Sequence, residues 1–550
     1  MHSFKKAIDK VNLQRLTVAL CILAVCVATQ QMQTAAWYTG ILDFSRDLLG
    51  VLMAVILMTH YKWGDFKKYK VLYIGWSVVG VIGGIVFVPM AVAARGDYLK
   101  ADTFIIWLGF FLMGYCVLHT LISIIIEKYR PKFYMPLFVI WVVMLLLMIF
   151  SRSDYLWPEC YFVMFLCYYM TEQTPDQRTN VIKGLVDGMI LAFLAIQAHS
   201  LLCRPYDRVR YYGNFCNPNQ NCTFLCMCLA AILAKILIVT KEERKRIVKI
   251  FYFLMAGTCY SFIFMTMSHS GYLTTFVVTV FFLIAYCRIR GKKIFVRTGL
   301  LMVAIFAALM PVTYCAVRYI PTIHPHVLFY FQEGYTEARV HSWDDRESPK
   351  FITFRQMMQE ALGRVGGRFF SYDDSGSVMI AEEEPNSFQI VINSVELPSD
   401  ILLYAMNNGE DVETDPDKIP ALTYEEAENS FLVRYTIYKW YFTHLSLRGM
   451  PYDEQGFQLT KTHWIQDTHD IYLDYGINFG YPVMILFIIF IWWGIGRLVM
   501  RGLKEKDVLK LSSLFIALVP PVFGLFEFAW GTGMIATVAL YLVFKEMFTE

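Results

Sequence analysis

The sequence predicts an all-α polytopic membrane protein, and its composition is the first reason. Of the 550 residues, 57% are hydrophobic and only 17% are charged, whereas roughly 25% are charged in an ordinary soluble domain. A chain this apolar has too little polar surface to cover a soluble core. The composition therefore excludes a soluble enzyme, a disordered scaffold and a nucleic-acid-binding protein built on a basic patch.

The second reason is the number of long apolar runs. A transmembrane helix needs about 20 mostly apolar residues. The sequence contains 14 candidate spans, near residues 16–34, 43–60, 71–94, 102–126, 134–150, 156–170, 182–203, 219–239, 247–267, 271–287, 298–320, 471–496, 508–527 and 530–547. The sixth is short, so the prediction is about 12–14 transmembrane helices. The basic first 15 residues precede a first span without an evident cleavage site, so we expect that span to be retained.

The third reason is the distribution of cations, since cytoplasmic loops carry an excess of Lys and Arg. With a cytoplasmic N-terminus, the predicted inner segments carry 29 Lys and Arg residues and the short outer loops carry 7. This places residues 321–468 outside the cytoplasm. The predicted organisation is a membrane domain over 1–320 with about 11 spans, an extracytoplasmic loop over 321–468, and about three spans over 469–550.

The large loop is acidic and partly helical. It contains 24 acidic and 11 basic residues, which gives a net charge of −13. Residues 351–364 and 429–447 have helical periodicity, whereas 382–385 and 411–420 have the composition of loops. We expect a small helical cap that is ordered against the membrane domain.

A cluster of arginines in the outer loop 204–219 is the first candidate site. The loop holds three of the seven cations of the short outer loops, including Arg208 and Arg210. Guanidinium groups bind phosphate bidentately, and Asn217-Pro-Asn219 is expected to open a helix, with Asn219 as its N-cap. A helix N-terminus also favours an anion. The pattern predicts a site for a lipid-linked phosphate; pairing with lipid headgroups or with an acidic residue of the loop is the alternative.

A histidine at the end of the acidic loop is the second candidate. His469 precedes the next span, and helical spacing places Gly476 and Gly480 on its face. Such glycines allow a neighbouring helix to approach closely, which would hold His469 rigidly. Histidine is the usual general base near neutral pH, and Asp470 or Asp474 could tune its pKa. A structural interfacial histidine is the alternative.

Three weaker features complete the candidates. His269 lies in a minimal outer turn between two apolar runs. The four-residue spacing of His463 and Asp467 allows a metal site, but no established metal motif supports one, and none is predicted. Cys203 and Cys216 flank the arginine-rich loop and are read as free thiols, with a disulfide as the alternative.

Four segments together make the chain similar to the O-antigen ligase and polymerase family of membrane glycosyltransferases. Arg210-Tyr-Tyr-Gly-Asn-Phe-Cys-Asn-Pro-Asn219 resembles the family's R-x-x-G-x-F-x-N-P-N-like segment, and Ser268–Gly271 stands at its Ser-Arg-Gly-like turn, with His269 where Arg is usual. Arg434–Tyr438 is similar to its outer-loop helix. His469–Leu473, followed by Gly480, is similar to its H-N-x-Y-L start of a span, with Asp where Asn is usual.

The resemblance implies a C-type glycosyltransferase-like helical architecture and a metal-independent transferase without a cofactor. The implied donor is an undecaprenyl-diphosphate-linked glycan and the acceptor is a glycan, a lipid or a protein. Arginines would hold the diphosphate, with Arg208, Arg434 and His269 as candidate further contacts, and His469 would deprotonate the acceptor hydroxyl. The implied location is the outer face of the bacterial cytoplasmic membrane.

A transporter or flippase of lipid-linked glycans is the alternative from another class. That function requires ionisable residues within the spans. Asp187, Arg318 and Glu527 are the candidates.

Overall fold

The computed structural model describes residues 12–28, 50–95, 100–153, 167–171, 173–203, 210–215, 218–291, 294–323, 353–365, 371–372, 378–379, 430–460, 463–465, 468–525 and 535–548. Within these ranges the protein is an all-α polytopic membrane protein. Eight of the described helices are long and apolar enough to cross a membrane, and shorter apolar helices accompany them.

The helices follow the predicted apolar runs closely. They are α1 (Leu13–Ala28), α2 (Trp63–Lys68), α3 (Lys70–Arg95), α4 (Lys100–Leu121), α5 (Met135–Ile149), α6 (Pro175–Cys203), α7 (Pro218–Lys241), α8 (Arg246–Thr266), α9 (His269–Arg290), α10 (Phe295–Ile323), α11 (Phe354–Val365), α12 (Ser430–Thr443), α13 (Ile471–Phe479), α14 (Tyr481–Glu505), α15 (Val508–Phe523) and α16 (Ile535–Phe548). Residues 50–58 are also helical, and one π-helical turn, Ile122–Ile126, continues α4. Most of the predicted sixth span lies outside the described residues.

The most buried of the eight candidate spans is α7. It packs against α6, α8, α9 and α15, and these five helices are called the central bundle. Arg288 at the end of α9 donates from Nε to the carbonyl of Leu503 near the end of α14, at 3.2 Å. Because α15 begins just after α14 ends, α9 and α15 run antiparallel. The first residue of α9 and the last of α15 therefore lie at the same end of the bundle.

Glycines join α1 to α6. A Cβ on Gly184 would lie 2.8 Å from the carbonyl oxygen of Arg15, and one on Gly188 would lie 2.6 Å from that of Ala19. This Gly-x-x-x-Gly spacing lets the two backbones approach closely, as small residues commonly do between membrane helices. The first helix is thereby fixed against the central bundle.

The described part of the acidic loop contains both predicted helices, as α11 and α12, and short strands that were not predicted. Strand β3 (Phe457–Thr460) pairs antiparallel with β4 (His463–Ile465), and the pair β1 (Ser371–Tyr372) and β2 (Val378–Met379) is also antiparallel. Phe354 of α11 contacts the ring of Tyr314 in α10, with centroids 5.3 Å apart. The two predicted irregular segments, 382–385 and 411–420, lie outside the described residues.

The predicted span 471–496 is not one continuous helix. Gly480 has φ +101° and ends α13, and α14 begins at Tyr481. A left-handed φ is easily reached by glycine but not by other residues. Two helices of different direction therefore replace the single predicted one.

Candidate functional site

Arg210 is fixed between two helix ends. Its Nε donates to the carbonyl of Thr266 at 2.9 Å, and one terminal nitrogen donates to Oδ1 of Asn219 at 2.6 Å. Thr266 is the last residue of α8 and Asn219 lies in the first turn of α7. The guanidinium of this half-buried arginine is therefore held by two hydrogen bonds at the end of the central bundle.

The loop after Arg210 is anchored by its own backbone and side chains. Tyr211 is buried; its N–H donates to the carbonyl of Met265 at 2.9 Å and its hydroxyl to Oε1 of Gln197 at 3.1 Å. Gly213 has φ +56°, and a Cβ there would lie 3.1 Å from the amide of Asn221. The glycine that the sequence supplies at this position permits the tight turn beside α7.

We predicted Asn219 as the N-cap of its helix, and this prediction was wrong. Helix α7 already includes Pro218, whose fixed φ and missing N–H suit the first turn of a helix. The side chain of Asn219 accepts the hydrogen bond from Arg210 instead. Asn217 and Arg208 lie outside the described residues, as do the side chains of Cys203 and Cys216.

The turn that carries His269 packs against the same place. Met267 has φ +52°, and Ser268 caps α9 by accepting from the N–H of Gly271 at 3.4 Å. A Cβ on Gly271 would lie 2.0 Å from Sγ of Cys222 in the first turns of α7, so the two helix starts are in close contact. His269 itself is exposed. Arg210, Asn219 and the turn at His269 are together called the polar cluster.

His469 precedes helix α13 and is not part of it. The prediction that His469, Gly476 and Gly480 share one face of a helix is therefore wrong. Its φ is +52°, an unusual backbone conformation for a residue other than glycine. The following residue, Asp470, is the N-cap of α13 and accepts from the N–H groups of Tyr472 and Leu473, both at 2.8 Å. Because the aspartate stops the helix there, His469 lies in the connection before it.

Asp470 is a half-buried carboxyl directly after His469. Burial raises its pKa from 3.8 to about 6, although the two backbone N–H bonds act in the opposite direction. The N–H of Asp470 also donates to Oγ1 of Thr468 at 3.3 Å. The backbone on both sides of His469 is thereby fixed by side-chain hydrogen bonds.

The two predicted packing glycines contact a turn and not a neighbouring helix. A Cβ on Gly476 would lie 2.6 Å from the side chain of Leu445, and one on Gly480 would lie 2.3 Å from the carbonyl oxygen of Leu447. This turn follows α12. The close approach that we predicted therefore exists, but its partner is the turn after α12.

Helix α12 reaches the backbone of His469 through a tyrosine. The hydroxyl of Tyr438 donates to the carbonyl of His469 at 3.3 Å. Arg434, predicted as a further substrate contact, lies one turn earlier on α12 and is half-buried. The role of Tyr438 was missed at the sequence level, although its one-turn spacing from Arg434 could have suggested it.

The polar cluster and His469 lie at one end of the bundle, called the His469 end. The N–H of Ile471 donates to the carbonyl of Gly524, directly after α15, at 2.8 Å. Phe282 of α9 contacts Phe515 of α15, with ring centroids 6.1 Å apart. At a rise of 1.5 Å per residue, His269 lies about 20 Å from this contact along the axis of α9, and Gly524 lies about 14 Å from it along the axis of α15. Because the two helices are antiparallel, both residues lie in the same direction from the contact.

The pair His463 and Asp467, whose spacing allows a metal site, is only half described. His463 is in strand β4, and Asp467 lies outside the described residues. Within the described ranges there is no group of three or more His, Cys, Asp or Glu side chains placed to hold a metal ion.

Comparison with known proteins identified no relative of this chain. No family model, no curated protein and no solved structure matches the chain. The interpretation of the site therefore depends on the residues and geometry described above.

Proposed function

We propose that this protein is a membrane glycosyltransferase of the O-antigen ligase and polymerase type. It transfers a glycan from an undecaprenyl-diphosphate-linked donor to an acceptor hydroxyl, without metal or cofactor, at the outer face of a bacterial cytoplasmic membrane. The observation that carries the proposal is the position of the polar cluster and His469 at one end of the same bundle. The cation distribution of the sequence supports placing this end outside.

In the proposed reaction Arg210 stabilises the diphosphate. Negative charge develops on the leaving oxygen as the bond to the anomeric carbon breaks, and a fixed cation stabilises that charge without reorganising. The bonds of Arg210 to Thr266 and Asn219 supply this fixed orientation. The first turn of α7 adds a helix N-terminus, which favours an anion.

His469 acts as the general base in the proposal. Its imidazole takes the proton of the acceptor hydroxyl while the oxygen forms a bond to the anomeric carbon and the diphosphate leaves with the electron pair, which inverts the configuration. An unusual backbone conformation kept by surrounding bonds is often found at functional sites. At His469 those bonds come from Tyr438, Thr468 and Asp470.

The packing of Asp187 favours a transferase over a transporter. A transport mechanism needs an ionisable group that can change its partner or its charge within the spans. Asp187 of α6 pairs with Arg15 of α1 and, at 2.6 Å, with Nζ of Lys235 in α7. The two ion pairs hold this carboxylate in one place and join three helices, α1, α6 and α7.

The test uses the full chain reconstituted in vesicles with a polyprenyl-diphosphate-linked oligosaccharide and candidate acceptors. We expect glycan transfer that persists in EDTA, and we expect His469→Ala to slow it by about 10²–10⁴-fold. Translocation of the glycolipid without any transfer would instead support the flippase. Loss of transfer with EDTA and its restoration by zinc would reject the metal-independent mechanism.

Orientation and acceptor class need two separate measurements. A cysteine introduced near Asp415 should react with an impermeant reagent from outside; labelling only from the cytoplasm would place the site on the wrong face. Glycan profiling of a deletion strain should show shortened chains for a polymerase or unattached glycan for a ligase.

A further inference from the structure

We propose that helix α12 lies in the membrane interface, with one of its faces in contact with lipid. The face consists of Tyr435, Lys439 and Phe442, at the i, i+4, i+7 spacing of one side of a helix. Tyr435 is 55% exposed and Phe442 is 66% exposed. The opposite side of α12 is already used, because Ile437 and Tyr441 are buried in an apolar cluster with residues of β3, β4 and α13.

The end of α12 is located at the boundary of one span. The N–H of Tyr481, the first residue of the span α14, donates to the carbonyl of Ser446 at 2.9 Å. The N–H of Met450 donates to the carbonyl of Ile477 at 2.8 Å. The turn after α12 therefore lies at the level where α14 enters the apolar layer.

The end of a second apolar helix, α5, lies beside the same turn. Nε of Arg448 donates to the carbonyl of Phe150 at 2.9 Å, and the N–H of Arg152 donates to the carbonyl of Arg448 at 2.7 Å. Phe150 directly follows α5 and is 67% exposed, and Leu447 in the turn is 62% exposed. Leu447 therefore lies next to the exposed apolar end of α5, and Phe442 is exposed five residues earlier, in the last turn of α12.

The composition of this surface fits the headgroup region. Aromatic side chains concentrate at membrane–water interfaces, and the long side chain of lysine can place its charge among lipid phosphates while its stem covers apolar surface. A segment surrounded by water has little reason to expose Phe442 and Leu447 close to Phe150, which is itself exposed at the end of an apolar helix. The occupant that fits this face is the phospholipid of the surrounding membrane. The inference does not depend on the proposed reaction.

Photo-crosslinking in phospholipid vesicles tests the inference. Phe442 and, in separate variants, Phe150 and Asp453 are replaced by the photoreactive p-benzoylphenylalanine in the full chain. Phe150, exposed at the end of the apolar helix α5, is the control expected to contact lipid. Asp453 is the control expected to contact water, because it and the neighbouring Glu454 are both exposed carboxylates. Replacement at an exposed aromatic position should leave the fold intact.

We expect phospholipid adducts at position 442 with a yield similar to that at position 150, and none at position 453. Adducts at 150 but not at 442 would overturn the inference. A crosslink from 442 to a second copy of the chain or to another protein, in place of lipid, would also overturn it. Transfer activity is not part of the readout, so failure of the proposed function leaves the result interpretable.

Discussion

Helices α7 and α3 are both long apolar spans, yet their surroundings are opposite. In α7, 94% of the most apolar window is buried within the protein, whereas in α3 the share is 11%. Helix α3 packs mainly against α4, and together they form a peripheral hairpin. The described candidate residues of the transferase site are attached to helices of the central bundle or to α12 and α13, and none lies on this hairpin. Burial, and not hydropathy, separates the part that holds the site from the part that faces lipid.

Small residues occur in both regions but have different roles. In α7, cysteines and alanines let four other helices approach, and residues such as Cys222, Cys226 and Ala230 are fully or almost fully buried. In α3, Gly80 and Gly84 lie under the rings of Phe111 and Trp107 of α4, while Gly83 has no atom near its missing side chain. A glycine in an apolar run therefore indicates a packing site only when a partner is known.

The largest loss of transfer activity is expected for a variant of His469. Such a loss would link the activity to the end of the central bundle and not to the hairpin of α3 and α4. His469→Ala should lower the initial rate of glycan transfer by about 10²–10⁴-fold, because general-base catalysis contributes about that much. His444→Ala is the matched control, since that ring stacks on Trp440 and bonds to its carbonyl. Full transfer by His469→Ala would reject its role as the base.

A smaller loss of activity is expected at Arg210. Arg210→Ala should lower kcat/KM for the donor by about 10- to 150-fold, since a hydrogen bond to a charged group contributes about 1.5–3 kcal/mol. Arg210→Lys should recover only part of this, because lysine lacks the planar fork. Arg288→Ala serves as the control at the other end of the bundle, where that arginine also bonds to a carbonyl. Equal losses from both alanine variants would contradict a specific role.

A pair of glycine variants tests the difference in packing directly. Gly271→Ala should destabilise the protein by about 1–3 kcal/mol, because its Cβ would meet the buried Cys222 in a filled core. Gly83→Ala should be neutral or stabilising by up to about 1 kcal/mol, since alanine is the better helix former. Thermal unfolding in detergent micelles measures both. If the two variants shift the midpoint equally, the contrast between the two regions fails.

The smallest effect is expected from Asp470→Asn, and it depends on pH. The raised pKa means that the folded protein binds the proton more tightly than the unfolded chain, so wild-type stability falls as the pH rises from about 4 to about 6. Asparagine keeps the N-cap without the buried charge. The variant should be more stable by about 1–2 kcal/mol at pH 7, below the full value of the pKa change because the carboxyl is partly solvated.

Unfolding midpoints at about pH 4 and pH 7 measure this effect. The advantage of Asp470→Asn should shrink at the lower pH, where the wild-type carboxyl is protonated. An advantage of the same size at both pH values would show that burial of the charge is not its cause.

The sequence alone determined that the chain is a membrane protein and where most of its helices lie. Hydropathy and helix length are local properties, so the ends of α7, α8 and α9 fall within a few residues of the predicted limits. The helical periodicity of 351–364 and 429–447 was enough to find α11 and α12 in an otherwise polar loop. The sequence also placed Arg210 and Asn219 in a common segment.

Only the tertiary structure decided how those residues are held. The hydrogen bond from Tyr438 to His469 joins residues 31 positions apart, and no local pattern specifies such a contact. The break at Gly480 depends on the carbonyl of Leu447, which occupies the space that a side chain would need. A hydropathy profile shows α13 and α14 as one continuous apolar run, because both helices are apolar. The direction of each helix depends on the residues that pack against it, which the profile does not contain.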